Sequence, residues 1–226
     1  MLKSATLITA DALRSPLSHL KPQRPAASAS PLLEAEVANL GYIVLRGRAG
    51  DATFMAGVAA VLGAPLPTAP RSMQRSAAGV VMWQSPDEWW LVCPRSQRDA
   101  LVAQLQAAVK DCFAQVADNS GGFTALHIHG AQHSRLLAHL SPYDFDRLAV
   151  GQCVSTVVSK ASFTVIRGDV SGVTLVFRRS FADYIWQLIS RTGGPYGLQF
   201  VELAHCPGSL LQPLLDKGSA PLAAAA

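Results

Sequence analysis

A short segment of this sequence occurs twice, as LVCPRSQRD at residues 91–99 and as LVFRRSFAD at residues 175–183, 84 residues further on. Leu, Val, Arg, Ser and Asp match between the two copies, and in each copy an apolar run is followed by a helical pattern. Internal repetition restricts the possible folds, because each copy must form the same local structure. We therefore expect one α/β unit used twice, with a strand ending and a helix beginning at each copy.

The serine of each copy predicts the start of a helix. Ser96 and Ser180 are followed three residues later by Asp99 and Asp183. This spacing is typical of an N-cap hydroxyl with an acidic residue in the first helical turn. We expect these four residues to stabilise two helices and not to be catalytic.

Hydrophobic periodicity divides each half of the chain into strand, helix, two strands, helix and strand. In the first half these elements lie at residues 41–48, 54–62, 80–84, 88–93, 96–113 and 115–118. In the second half a strand is expected at residues 123–129 and a helix at 131–140. Two strands follow, at 152–167 with a possible break and at 173–178, and then a helix at 180–191 and a strand at 196–203. We predict an α+β fold of two packed split-βαβ halves, each βαββαβ and ferredoxin-like, forming one pseudo-duplicated body.

Composition predicts two less structured ends around this body. Residues 1–31 are rich in Ala, Ser and Pro, which favours an extended N-terminal arm, and residues 207–226 are predicted to be a flexible C-terminal tail. The body spans residues 32–206, with halves at about 40–118 and 122–204. Half of all residues are hydrophobic and 15% are charged, which permits a substantial core. The apolar stretch at residues 5–13 is too short for a membrane span, so we expect no membrane association.

Charge and cysteine usage restrict the environment and the partners. The net charge of +4 is modest and the arginines are scattered, so no nucleic-acid partner is expected. The four cysteines are widely spaced, without a CxxC pair, which is typical of reduced thiols in the cytoplasm. They are Cys93, Cys112, Cys153 and Cys206.

A cluster of histidines raises the question of a metal site. His127 and His129 point to one face of a predicted strand, and His133 follows on a helix. A zinc site needs three or four convergent ligands, and the sequence has neither an HExxH motif nor a Cys/His framework. We therefore predict no metal site and interpret these side chains as polar positions on a partly exposed strand.

Signatures of catalysis are absent from the sequence. There is no GxSxG motif, no P-loop and no GxGxxG between a strand and a helix. The carboxylates of Asp118, Asp144 and Asp146 are predicted to be turn and surface acids, because no partner residue follows from the sequence. The pattern favours a binding or structural role.

Two adjacent tryptophans are the best candidates for contacts with a partner. Neighbouring residues in a strand face opposite sides of the sheet, so Trp89 and Trp90 cannot both enter one core. Either one of them meets another protein surface, or the sheet is covered on both faces within this chain.

Several motifs occur in an order that resembles a known family. They are the string WQSPDEWWL at residues 83–91, DNS at 118–120, GQC at 151–153 with Thr156, and RSFA at 179–182 with Trp186. Together they resemble the gamma subunit of heterotetrameric sarcosine oxidase, over roughly residues 40–192.

The resemblance implies a fold similar to the folate-binding domains of the glycine-cleavage T-protein. It also implies a complex that oxidises sarcosine to glycine with oxygen and tetrahydrofolate, and that yields hydrogen peroxide with formaldehyde or methylene-tetrahydrofolate. In that family FAD, FMN, NAD and tetrahydrofolate belong to partner subunits. By this resemblance the chain assembles with alpha, beta and delta subunits and has no catalytic, cofactor-binding or metal-binding residues of its own.

Two other functional classes remain open. One is a free-standing folate-dependent protein of the aminomethyltransferase or one-carbon-binding type, which should bind tetrahydrofolate alone. The other is an unrelated structural or nucleic-acid-associated module, whose binding to nucleic acid should depend strongly on salt.

Overall fold

The computed structural model describes residues 15–23 and 32–215. Within these residues the strands are β1 Leu32–Val37, β2 Leu40–Arg46, β3 Met73–Ser76, β4 Gly79–Ser85, β5 Glu88–Pro94, β6 Gln115–Asp118, β7 Phe123–His129, β8 Gln152–Val158, β9 Ala161–Arg167, β10 Gly172–Arg178 and β11 Leu198–Phe200. The α-helices are α1 Ala52–Leu62, α2 Arg98–Ala108, α3 His133–Ala138, α4 Ala182–Gly193 and α5 Gln212–Leu215. No helix in this part of the chain is long and apolar enough to cross a membrane.

The first half of the chain forms a five-stranded antiparallel sheet in the order β3-β4-β5-β2-β6. The run β2-α1-β4-β5-α2-β6 reproduces the predicted βαββαβ sequence of elements, and its strand order is that of a split-βαβ motif. Local signals define α1 well. The Asp51 carboxylate accepts hydrogen bonds from the backbone N–H groups of Thr53 and Phe54, and Gly63 ends the helix with a φ of 70°.

The second half forms a six-stranded sheet in the order β11-β1-β7-β10-β9-β8. Strand β1 from the N-terminal part of the chain lies between β7 and β11, antiparallel to the first and parallel to the second. The second sheet is therefore completed by a strand that the sequence analysis did not identify. The possible break in residues 152–167 is real, because β8 and β9 form a hairpin around Ser159, whose φ is 49°.

The two sheets pack face to face, and helices cover their outer faces. Helices α1 and α2 cover the five-stranded sheet, and α3 and α4 cover the six-stranded sheet, so the protein has four layers. A core between the sheets joins the halves; it includes Val80, Met82, Val92, Ala125, Ile166 and Val176. This mixed α+β arrangement is the predicted fold class.

The repeated segment forms the same structure twice. Strands β5 and β10 each end in a 3-10 turn, at Arg95–Gln97 and Arg179–Phe181, and α2 and α4 follow directly. Asp99 and Asp183 lie in the first helical turns, as predicted. The predicted N-caps are wrong, because neither helix has a side-chain cap. The 3-10 turns place Ser96 and Ser180 inside helical backbone, whereas an N-cap residue needs an extended conformation.

The described parts of the two chain ends lie against the body. Leu17 is buried in the core between the six-stranded sheet and its helices, and the Gln23 N–H donates to the carbonyl of Phe200. At the other end Leu210 and Leu211 are buried between the sheets. The packed body thus extends past residue 206, where composition placed the start of a flexible tail, because residues 207–215 supply apolar side chains to the core. The rest of the predicted arm and tail, residues 1–14, 24–31 and 216–226, lies outside the described residues.

Candidate functional site

A cleft of about 530 Å³ opens between the two sheets. The five-stranded sheet contributes the end of β4 and the start of β5, and the six-stranded sheet contributes β8, β9, the start of β7 and the end of β10. The side chains that line the cleft include Gln84, Glu88, Trp90, Phe123, Ser155, Lys160, Thr164, Arg178 and Phe181. The size and the combination of aromatic and polar side chains are typical of a binding site.

One wall of the cleft is a pair of aromatic rings, inclined to each other by 53° and held by ionic groups. The ring centroids of Trp90 and Phe123 are 4.7 Å apart, and the guanidinium carbon of Arg178 lies 5.0 Å from the Phe123 centroid. The Trp90 Nε1–H donates to Glu88 Oε1 at 2.7 Å, and Glu88 also forms an ion pair with Arg46. These contacts fix the Trp90 indole and engage the Glu88 carboxylate.

A network of polar side chains forms another part of the cleft lining. The Ser155 hydroxyl donates to Gln84 Oε1 at 2.5 Å and lies 2.8 Å from the Thr164 hydroxyl. The Gln84 amide nitrogen is buried and has no hydrogen-bond partner within the described part of the chain. A bound group with an acceptor atom would satisfy this donor. Lys160 and Arg178 add positive charge, so the cleft suits an aromatic or acidic group.

The two candidate tryptophans face opposite sides of the sheet, as strand alternation requires. Trp89 is 0% exposed and packs on Phe54 of α1, with ring centroids 5.8 Å apart, and its Nε1–H donates to the Pro67 carbonyl at 2.7 Å. Trp89 therefore belongs to the core and cannot contact another protein in the folded chain. Trp90 faces the cleft and is partly exposed, so it stays a candidate for partner contact.

Two of the three histidines that raised the metal question, His127 and His133, are buried and hydrogen-bonded, so the expected polar positions on a partly exposed strand are wrong for them. The His127 Nε2–H donates to the Pro207 carbonyl at 2.8 Å, and His127 Nδ1 accepts from the Thr174 hydroxyl at 3.0 Å. Burial lowers the pKa of His127 to about 4, so its ring is neutral at pH 7. His133 bonds the Gly130 carbonyl through its own Nδ1. Across residues 15–23 and 32–215, no three His, Cys, Asp or Glu side chains are grouped so that they could hold a metal ion.

The carboxylates that the sequence analysis singled out form local contacts. Asp118 accepts hydrogen bonds from the backbone N–H and the hydroxyl of Ser120 and pairs with Arg98 at 3.4 Å. Asp144 accepts from the Asp146 N–H and begins a 3-10 turn. The carboxylates of Asp118 and Asp144 thus stabilise turns at the surface.

Sequence reasoning missed most of the cleft. Gln84 and Glu88 lie inside the string that carried the family resemblance, yet nothing in that string marks them as neighbours of Phe123 or Thr164. The feature of the sequence that could have indicated Gln84 and Glu88 is their position, because they flank the turn between β4 and β5. Side chains at strand ends often line sites.

A family model described as the sarcosine oxidase gamma subunit family matches residues 46–193. A chain of the heterotetrameric sarcosine oxidase from Corynebacterium sp. U-96 is similar in structure, with a TM-score of 0.73 and 24% identity over 81% of this chain and 96% of that chain. The glycine cleavage system aminomethyltransferase T from Bartonella henselae is similar with a TM-score of 0.60 and 13% identity over 77% of this chain and 48% of that chain. No curated protein sequence matches the chain.

Proposed function

Because the chain belongs to the sarcosine oxidase gamma subunit family, we propose that it is a non-catalytic assembly subunit of a cytoplasmic complex that oxidises sarcosine to glycine. The observation that carries this proposal is the extent of the family match. Residues 46–193 run from the end of β2 to the end of α4 and so include elements of both sheets and all four layers. The partners are the alpha, beta and delta subunits, and the FAD, FMN, NAD and tetrahydrofolate of the reaction belong to them.

The state of the reactive side chains supports a non-catalytic role. Burial raises the pKa of three thiols to about 12, so they are protonated and weakly nucleophilic at neutral pH. They are Cys93, Cys153 and Cys206. His127 is neutral and bonded through both ring nitrogens, and Glu88 is held by Trp90 and Arg46. Each of these five groups is therefore buried as a neutral side chain or already paired within the chain.

The mouth of the cleft is the proposed contact with a partner subunit. Phe181 is 40% exposed there, beside Arg178 and the partly exposed Trp90. Aromatic and arginine side chains are enriched among residues that dominate binding energy at interfaces. A partner segment with an aromatic or acidic side chain would fill the cleft and bond the Gln84 amide.

The proposal can be tested by co-expressing this chain with the products of its neighbouring genes. We expect the proteins to co-purify as one large yellow complex that consumes oxygen when sarcosine is added. Native mass, flavin absorbance and oxygen uptake are the three measurements. A colourless monomer that ignores these partners would contradict the proposal, and tetrahydrofolate binding by that monomer would favour the folate-dependent class.

Two variants test whether the cleft is the contact surface, independently of whether the chain belongs to the complex. Phe181→Ala should weaken assembly about tenfold or more, since truncation of an interface aromatic costs more than about 1.4 kcal/mol at a central position. Tyr184→Ala is the matched control, because Tyr184 is similarly exposed, at 38%, and does not line the cleft. If both variants assemble as the wild type does, the cleft is not the interface, although membership of the complex would stand.

A further inference from the structure

A second, smaller cavity lies where the two halves of the molecule meet. Its volume is about 140 Å³, well above the roughly 10–15 Å³ that one water molecule needs. Arg95 and Arg179 line it from the two halves, together with Ser15, Asn39 and Thr124. This cavity lies apart from the wall of Trp90 and Glu88 described above and shares only Phe123 with that cleft.

The repeat explains why two arginines meet here. Arg95 is the first residue after β5 and Arg179 is the first residue after β10, and they occupy equivalent positions in the duplicated segment. Burial lowers the pKa of Arg95, as do the positive charges of Arg98 and Arg179, whereas the carboxylates of Asp118 and Asp99 raise it. Two guanidinium groups at one small, partly enclosed cavity are unfavourable unless negative charge balances them.

The nearby carboxylates leave Arg95 without an ion pair. Arg98 is paired with Asp99 and Asp118. The carboxylate of Glu36 on β1 interacts electrostatically with Arg179 and also accepts hydrogen bonds from the hydroxyls of Ser15 and Thr124. Among the described residues, Arg95 has no carboxylate within 4.0 Å. A half-buried guanidinium beside a cavity therefore lacks the partner that such a group normally has.

We infer that this cavity binds one small oxyanion, a carboxylate or a phosphate, between Arg95 and Arg179. The planar guanidinium of Arg95 donates two parallel hydrogen bonds to two oxygens of the anion, which is the geometry that arginine provides and lysine does not. Arg179 supplies the second positive charge from the other half of the molecule. The anion thereby links the two halves and should stabilise the folded chain. It is either a free ion or a carboxylate side chain of a partner subunit, and these two sources share the same chemistry.

The first experiment uses inorganic phosphate and the full chain. Thermal unfolding is followed as phosphate replaces chloride at constant ionic strength, and the melting temperature should rise and saturate, as it does when a ligand binds only the folded state. Arg95→Gln should abolish this rise, and Arg95→Lys should reduce it. The matched control is Arg75→Gln, since Arg75 is an exposed arginine on β3 away from the cavity and its loss changes the net charge equally. If phosphate raised the melting temperatures of Arg95→Gln and Arg75→Gln equally, the effect would be general screening of surface charge, and the inference would be overturned.

The second experiment tests the other source of the anion and depends on the proposed assembly. If a partner carboxylate fills the cavity, Arg95→Gln should weaken co-purification with the partner subunits about tenfold or more, whereas Arg75→Gln should not. Both variants are compared by native mass at equal concentration. If phosphate does not stabilise the chain and Arg95→Gln assembles normally, the cavity holds no anion and the inference fails.

Discussion

Replacing Glu34 by Gln should stabilise this protein at neutral pH. Glu34 lies on β1 between Phe200 of β11 and Ile128 of β7, is 0% exposed, and has no hydrogen-bond partner for either carboxylate oxygen among the described residues. Burial without a partner disfavours the charged form and raises the pKa of Glu34 from 4.5 to about 8. In the folded chain Glu34 is therefore mainly protonated at pH 7, and Gln has nearly the same shape as this neutral carboxylic acid.

The size and sign of the effect follow from the two pKa values. Between pH 4.5 and about 8 the folded state keeps a proton that the unfolded state has lost, so the free energy of unfolding decreases as pH rises. Each pH unit in this window costs about 1.4 kcal/mol, which gives about 3 kcal/mol of lost stability at pH 7 and about 5 kcal/mol above pH 8. Glu34→Gln removes this loss. Its advantage over the wild type should be near zero at pH 4.5 and about 3 kcal/mol at pH 7.

Urea unfolding of the full chain at pH 5 and at pH 7.5 measures this difference directly. Comparing variant with wild type at each pH cancels the titration of every other group, and Glu202→Gln, at an exposed glutamate, is the control that should change little at either pH. An advantage of Glu34→Gln that is equal at both pH values would refute the reasoning. A variant less stable than the wild type at pH 7.5 would refute it as well, because a buried ionised carboxylate would then have a favourable partner.

Three further predictions concern the core. Trp89→Ala should lower the free energy of unfolding by about 3–5 kcal/mol, because the cavity left against Phe54 is fully enclosed; urea unfolding checks this, and a loss below 1 kcal/mol would contradict the packing. Burial lowers the pKa of His127 to about 4, so between pH 6.5 and 4 the unfolded state binds a proton that the folded state does not, and the free energy of unfolding should fall by up to about 3 kcal/mol. The difference in unfolding free energy between the wild type and His127→Gln should therefore narrow as pH falls over that range. A thiol reagent should label only Cys112 rapidly in the folded chain and all four cysteines in denaturant, because the other three are buried; rapid labelling of two or more would contradict this.

Local signals in the sequence predicted most elements of the first sheet. The strands expected at residues 80–84 and 88–93 are β4 and β5, and α1 begins after Asp51 as expected. These predictions succeed because helix caps, turns and the alternation of apolar and polar residues in a strand each depend on only a few neighbouring residues. The predicted caps at Ser96 and Ser180 fail because a 3-10 turn precedes each helix and places both serines inside helical backbone.

The candidate site depended on information that the local pattern does not contain. Alternation established that Trp89 and Trp90 face opposite sides of the sheet, but not which side α1 covers. The choice is made by packing, because α1 encloses Trp89 completely whereas the second sheet leaves a cleft beside Trp90. Phe123 and Arg178 reach that cleft from strands of the other half, so their proximity to Trp90 exists only in the folded chain.

The sequence by itself determined the duplication, the order of local elements in each half and the family resemblance, because each of these depends on residues close together along the chain. Only the tertiary structure decided that β1 completes the second sheet beside β7, some 90 residues away, and that the equivalent arginines Arg95 and Arg179 meet at one cavity. The physical reason is that a strand's own residues favour extended backbone but do not specify its partner. That choice is made by burial of apolar surface and backbone hydrogen bonding across the whole molecule.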